Sequence, residues 1–148
     1  MSRKGFATGL GWLLALTVAS PVLAQQSAGL GEAFPAGVPD LSLAPGWHVY
    51  RFDRDGVRYI QVNDAGGTVL AAVAAANGQL LRLPLGVDAD HVSIPQSGGS
   101  PISSTTPAVK IYDDGAVQIS TAKQDDGTTL VSAACNGPFE CGGSKQQP

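Results

Sequence analysis

The chain has 148 residues, with 9 lysines and arginines against 12 aspartates and glutamates and a net charge of -3. The acids are scattered and no basic stripe exists, which excludes nucleic acid as a partner and gives no attraction to an anionic lipid surface. With the two cysteines expected to pair as a disulfide, two histidines leave too little for a zinc centre, which needs three or four nitrogen or sulfur ligands.

Arg3 and Lys4 precede an uncharged run over 5–24, whose apolar centre is 10–19. Val22-Leu23-Ala24 then places small residues where a signal peptidase reads. This predicts a secretory signal over 1–24, cut before Gln25, and a protein of the periplasm or the extracellular medium. An uncleaved anchor is the alternative, but Gly5, Gly9, Gly11 and Pro21 make the run a poor one. No cysteine follows the cut, so a lipid anchor is not expected, and no later segment is apolar enough to span a membrane. Cleavage leaves 124 residues with 7 basic and 12 acidic side chains, a net charge of -5 and enough chain for one domain.

Residues 25–46 read as an extended, disordered arm. Pro35, Pro39 and Pro45 remove backbone donors, and the glycines among them add entropy that folding must overcome. Phe34, Val38, Leu41 and Leu43 are the side chains it has available to dock.

From Trp47 the pattern changes. Gly56, Gly67 and Gly78 recur every 11 residues, each closing a turn-like cluster. Strands are expected over 47–54, 57–63, 68–75 and 79–85, as an antiparallel meander. A two-residue turn at Asp55-Gly56 sets Arg54 opposite Val57, Asp53 opposite Arg58, Phe52 opposite Tyr59 and Val49 opposite Val62, pairing opposite charges and two aromatics. The Asn77-Gly78 turn sets Leu70, Ala72 and Ala74 on one face with Leu81, Leu83 and Leu85, and that face is expected to meet the core. The alanine-rich stretch 68–76 has a helical alternative, with Asn77-Gly78 as its C-cap, which would make the fold α+β.

Residues 94–107, rich in Ser, Thr, Gly and Pro, read as a mobile surface loop. Strands resume over 109–112, 116–121 and 128–134, separated by two Asp-Asp-Gly turns. One β-rich domain over 47–135, interrupted by the loop, is therefore expected. It is a small all-β hairpin or meander fold, a sandwich or a partly open barrel. Residues 136–148 form a loop pinned by a Cys135–Cys141 disulfide and a flexible tail.

Catalytic chemistry finds little footing. There is no Gly-x-Ser-x-Gly elbow and no phosphate loop, and the acids fall in turns. Asp88-Ala89-Asp90-His91 is the densest group of potential metal ligands, and it is too small for a hard cation, so no metal and no cofactor are expected. The positive hint is the aromatic first hairpin. Trp47, Tyr50, Arg51, Phe52 and Tyr59 are the candidate binding residues, for an envelope protein or a glycan. The reading is an exported, non-enzymatic binding or accessory protein. The alternatives are a small secreted hydrolase using His48 or His91, and a structural protein that self-assembles through sheet edges.

Overall fold

The computed structural model describes residues 29–95 and 106–137. Strand β1 is Trp47–Arg54, β2 is Val57–Asp64, β3 is Val69–Ala76 and β4 is Gln79–Arg82. A 3-10 turn, Ala89–His91, leads into β5, Val92–Ser93. Then come β6, Val109–Asp113, β7, Val117–Lys123, and β8, Thr129–Cys135. These eight strands make two four-stranded sheets, a meander in the order β1-β2-β3-β4 and a mixed sheet in the order β5-β8-β7-β6. The fold is all-β, residues 69–76 are strand rather than helix, and neither sheet closes into a barrel. The leader 1–24, most of the 94–107 loop, Cys141 and the tail lie outside the described residues.

Two tight turns set the first sheet. Asp55 and Gly56 have φ of 51° and 77°, and Asn77 and Gly78 have 50° and 75°. Positive φ at both central residues matches the right-handed twist of the flanking strands. A two-residue turn leaves the register no freedom. Arg54 therefore faces Val57, Asp53 faces Arg58, Phe52 faces Tyr59 and Val49 faces Val62, as the sequence predicts.

The core lies between the sheets. Val49, Ile60, Val62, Val73 and Ala75 of the meander share one buried cluster with Ile111, Tyr112, Val117, Ile119, Val131 and Ala133 of the second sheet. Each large aliphatic side chain withdrawn there contributes about 1.5–3 kcal/mol. Thr121 is the exception, because its hydroxyl is buried and has no hydrogen-bond partner among the described residues. Valine keeps the branched shape and removes the stranded hydroxyl. Thr121→Val is therefore expected to raise stability by about 1 kcal/mol in urea unfolding. An unchanged or lower midpoint would mean the hydroxyl is satisfied in solution.

The third strand corrects one expectation. Leu70, Ala72 and Ala74 with Leu81, Leu83 and Leu85 do not form the core face. The core takes Ala71, Val73 and Ala75, with Leu80 packed against it, and Leu81 is 56% exposed. Leu70 joins the core because the β2–β3 register shifts between Val62 and Asn63. The cause is two-sided burial. Every residue from Leu70 to Ala75 is buried, so apolar alternation carries no mark of which side faces inward.

Two segments outside the strands, with the short strand β5, tie the sheets together. Beyond β4 the chain keeps following β3, with the Leu83, Val87 and Asp88 amides donating to the carbonyls of Ala72, Val69 and Leu70. Asp88 then reaches the other sheet, where its Oδ2 accepts the Thr129 amide at 3.0 Å. β5 pairs with β8 in parallel, which a two-residue strand gives no way to foresee. On the opposite side, Asp40 bridges to Tyr50, Leu41 donates to the Val49 carbonyl, and Leu43 donates to the Ile111 carbonyl. The arm thereby covers part of the free edges of both β1 and β6, and blunts them against pairing with another chain.

Candidate functional site

The outer face of the meander carries the most specific arrangement in the molecule. β2 alternates, so Tyr59, Gln61 and Asn63 point away from Ile60 and Val62. Gln61 and Asn63 are both fully buried although they face away from the core. The arm covers them. Gln61 accepts the Gly31 amide at 2.6 Å and donates to the Glu32 carbonyl at 2.8 Å. Asn63 donates to the Ala33 carbonyl at 2.8 Å and to the Glu32 carbonyl at 3.3 Å. A Gln61–Asn63 bond of 2.9 Å orients the two carboxamides against each other. Together they form a cradle that grips main chain, because every arm atom they hold is a backbone N–H or C=O.

Phe34 completes the seal. A Cβ on Gly67, which has φ of +87°, would lie 2.6 Å from the Phe34 ring, so glycine is what lets the ring come down there. Phe34 meets His48 edge-on at 5.5 Å between centroids, and His48 stacks on Tyr50 at 6.2 Å. Asp40 Oδ2 lies 2.7 Å from His48 Nδ1, and Asp40 Oδ1 accepts the Ser42 and Val49 amides. Burial pushes the Asp40 carboxyl up. The Val49 amide, His48 and the Ser42 amide outweigh it and hold the group below the usual carboxylate value. Asp40 is thus the root of the arm, fixed to β1 from two sides.

The five candidate binding residues divide between the two faces, as the register requires. Tyr50, Phe52 and Tyr59 share the outer face. Tyr50 is buried, while Phe52 and Tyr59 are half-buried. Phe52 and Tyr59 continue in register through Ala74 to Leu81, forming an apolar row across all four strands. Trp47 and Arg51 lie on the inner side. Trp47 packs against the core, with the Lys123 ammonium 5.3 Å from its ring centroid.

Arg51 belongs to a polar clamp at the end of the core. Arg58 Nη1 donates to Asp114 Oδ2 at 2.6 Å, and the Tyr112 hydroxyl donates to the same oxygen at 2.8 Å. Arg51 Nε lies 2.9 Å from Asp53 Oδ2, and its Nη1 is 3.9 Å from Asp114 Oδ2. Asp114 Oδ1 accepts the Ala116 and Val117 amides. Burial raises the Asp114 carboxyl, but those amides, Tyr112 and Arg58 together hold it below the ordinary value. Burial, and then the hydrogen bond and charge of Asp114, push the Tyr112 phenol up to about 12. Sequence reasoning found the Asp53–Arg58 pair and missed Tyr112 and Asp114. Arg58 and Asp114 are 56 residues apart, and no local signal links them.

The Asp88-Ala89-Asp90-His91 group does not converge. Asp88 is committed to the Thr129 amide, and its Oδ1 is 3.8 Å from His91 Nδ1. Among the described residues, no group of three or more His, Cys, Asp or Glu side chains could hold a metal ion. Among the same residues, no helix is long and apolar enough to cross a membrane. Comparison with protein-family models, with curated proteins and with solved structures found no match.

Proposed function

We propose that this chain is an exported, non-enzymatic binding module of the cell envelope or secretome. Its partner is a protein that docks on the outer row of the meander. The Phe52–Tyr59–Ala74–Leu81 row carries the reading. It ends in a side chain that is 56% exposed, and Arg54 stands beside Phe52 on the same face. Aromatic side chains beside an arginine are the composition in which interface energy concentrates. The leader over 1–24 and a Cys135–Cys141 disulfide belong to the same reading, because a short bridge is kept in an oxidising compartment.

Phe52→Ser combined with Tyr59→Ser tests the row. Chemical cross-linking in the native envelope is expected to give a discrete adduct with the wild type. The double variant, folded by circular dichroism, is expected to lose it by about 30-fold, the value of one strong interface residue. An adduct of equal yield from both proteins would remove the row from the interface. If the wild type alone is retained on protein-free envelope glycan, the partner is a glycan instead.

A further inference from the structure

The carboxamide cradle recognises main chain, so it does not distinguish one copy of the arm from another. We propose that Gln61 and Asn63 form an exchange site that takes residues 29–36 of a second copy of this chain, each copy giving its arm to the other. This goes beyond the outer row, which the arm meets where Gly29 lies beside the Phe52 ring, and rests instead on the main-chain bonds to Gln61 and Asn63.

Three observations carry the proposal. First, the contacts of the seated arm are ones that a second copy reproduces in full: Gly31 N–H, the Glu32 and Ala33 carbonyls, Gly29 beside the Phe52 ring, and the Phe34 ring on Gly67 and His48. Reciprocal exchange keeps every one of them, and only the association of two chains opposes it. Second, the arm is bounded by a firm root. Asp40 is held by Ser42, Val49 and His48, so exchange needs no change in the strands. Third, the link between cradle and root is built to straighten. A Cβ at Gly37 would meet nothing within 4 Å. Among the described residues, the one backbone bond across the link, Val38 N–H to the Pro35 carbonyl, is long at 3.4 Å. Pro39 biases Val38 towards extended backbone, and Pro35 does the same to Phe34. Four residues drawn out span about 13 Å.

The test replaces Phe34, which is 59% exposed, with the photoreactive p-benzoylphenylalanine in full-length chain. This chain is mixed with an equal amount of wild-type chain carrying heavy isotopes, equilibrated at concentrations up to about 1 mM, irradiated, digested and weighed. The expected product joins light residue 34 to a heavy peptide containing Gly67, and its share rises with concentration. Asn63→Ala in the heavy chain is expected to lower that product about tenfold, for the lost main-chain bonds. Cross-links confined to single light chains at every concentration overturn the proposal. So do interchain cross-links that fall away from Gly67. In case the bulky ring loosens the arm, native mass spectrometry of mixed light and heavy wild-type chains supplies a second reading. Mixed-mass dimers that grow with concentration are expected, and monomer alone throughout overturns the proposal.

Discussion

Replacing Gly86 with alanine is expected to lower the unfolding free energy by about 3 kcal/mol or more, among the largest losses a single methyl group can cause. Gly86 has φ of +110°, and a Cβ there would lie 2.2 Å from the Leu70 carbonyl oxygen and 2.6 Å from the Ala71 nitrogen. Those atoms are backbone of a central strand and have nowhere to go. The Val87 and Asp88 amides, which donate to β3 just beyond, would be pulled off their acceptors. Asp88 would in turn leave Thr129. Gly78→Ala is the matched control. Gly78 also has positive φ, at 75°, but nothing lies within 4 Å of its Cβ position, so only the backbone cost of about 1 kcal/mol applies. Urea denaturation of both variants separates the two causes. Equal losses would show that conformation, and not contact, is what Gly86 supplies.

Asp114→Asn is expected to cost about 2 kcal/mol at neutral pH, because Arg58 and Arg51 lose the charge of a half-buried partner and keep the exposed Asp53. The carboxyl of Asp114 titrates below its ordinary value of 3.8 in the folded chain. A group depressed on folding adds stability above its unfolded pKa and loses it as pH falls through its folded pKa. The gap between wild type and variant should therefore be full above about pH 5 and should close below 3.8. Asp40, Asp64, Asp113 and Asp126 are also depressed, so both proteins keep an acid limb and only the difference between them reports Asp114. A gap that stays constant down to pH 2 would mean the lost interaction is steric and not ionic.

Local chemistry was legible in the sequence, and long-range chemistry was not. Asp55-Gly56 and Asn77-Gly78 specify their own backbone angles, and the first hairpin follows from its turn residue by residue. The same register separates Trp47 and Arg51 from Tyr50, Phe52 and Tyr59. The inward side of β3 was misread because alanine suits both faces and a second cover lay over the outer one. That cover had left a trace. Gln61 and Asn63 interrupt an otherwise apolar stretch of β2 at alternate positions, as a strand does when backbone from elsewhere must be satisfied on one side. The clamp left no such trace, since Tyr112 and Asp114 sit in a stretch already accounted for as strand and turn.

The arm also sets an order in time. A chain made from its first residue completes Gly31 to Phe34 before any surface exists to receive them. The Gln61 and Asn63 amides are useful only once β2 is flanked by β1 and β3, after Ala76 has been added. At about 5–20 residues per second that is a wait of seconds. A segment that must wait so long in water is best made of glycine, alanine and proline with a single large ring, and residues 29–37 are close to that composition. What reads as a poor folding segment is therefore a safe one to leave undocked, made early and seated only once β3 is in place.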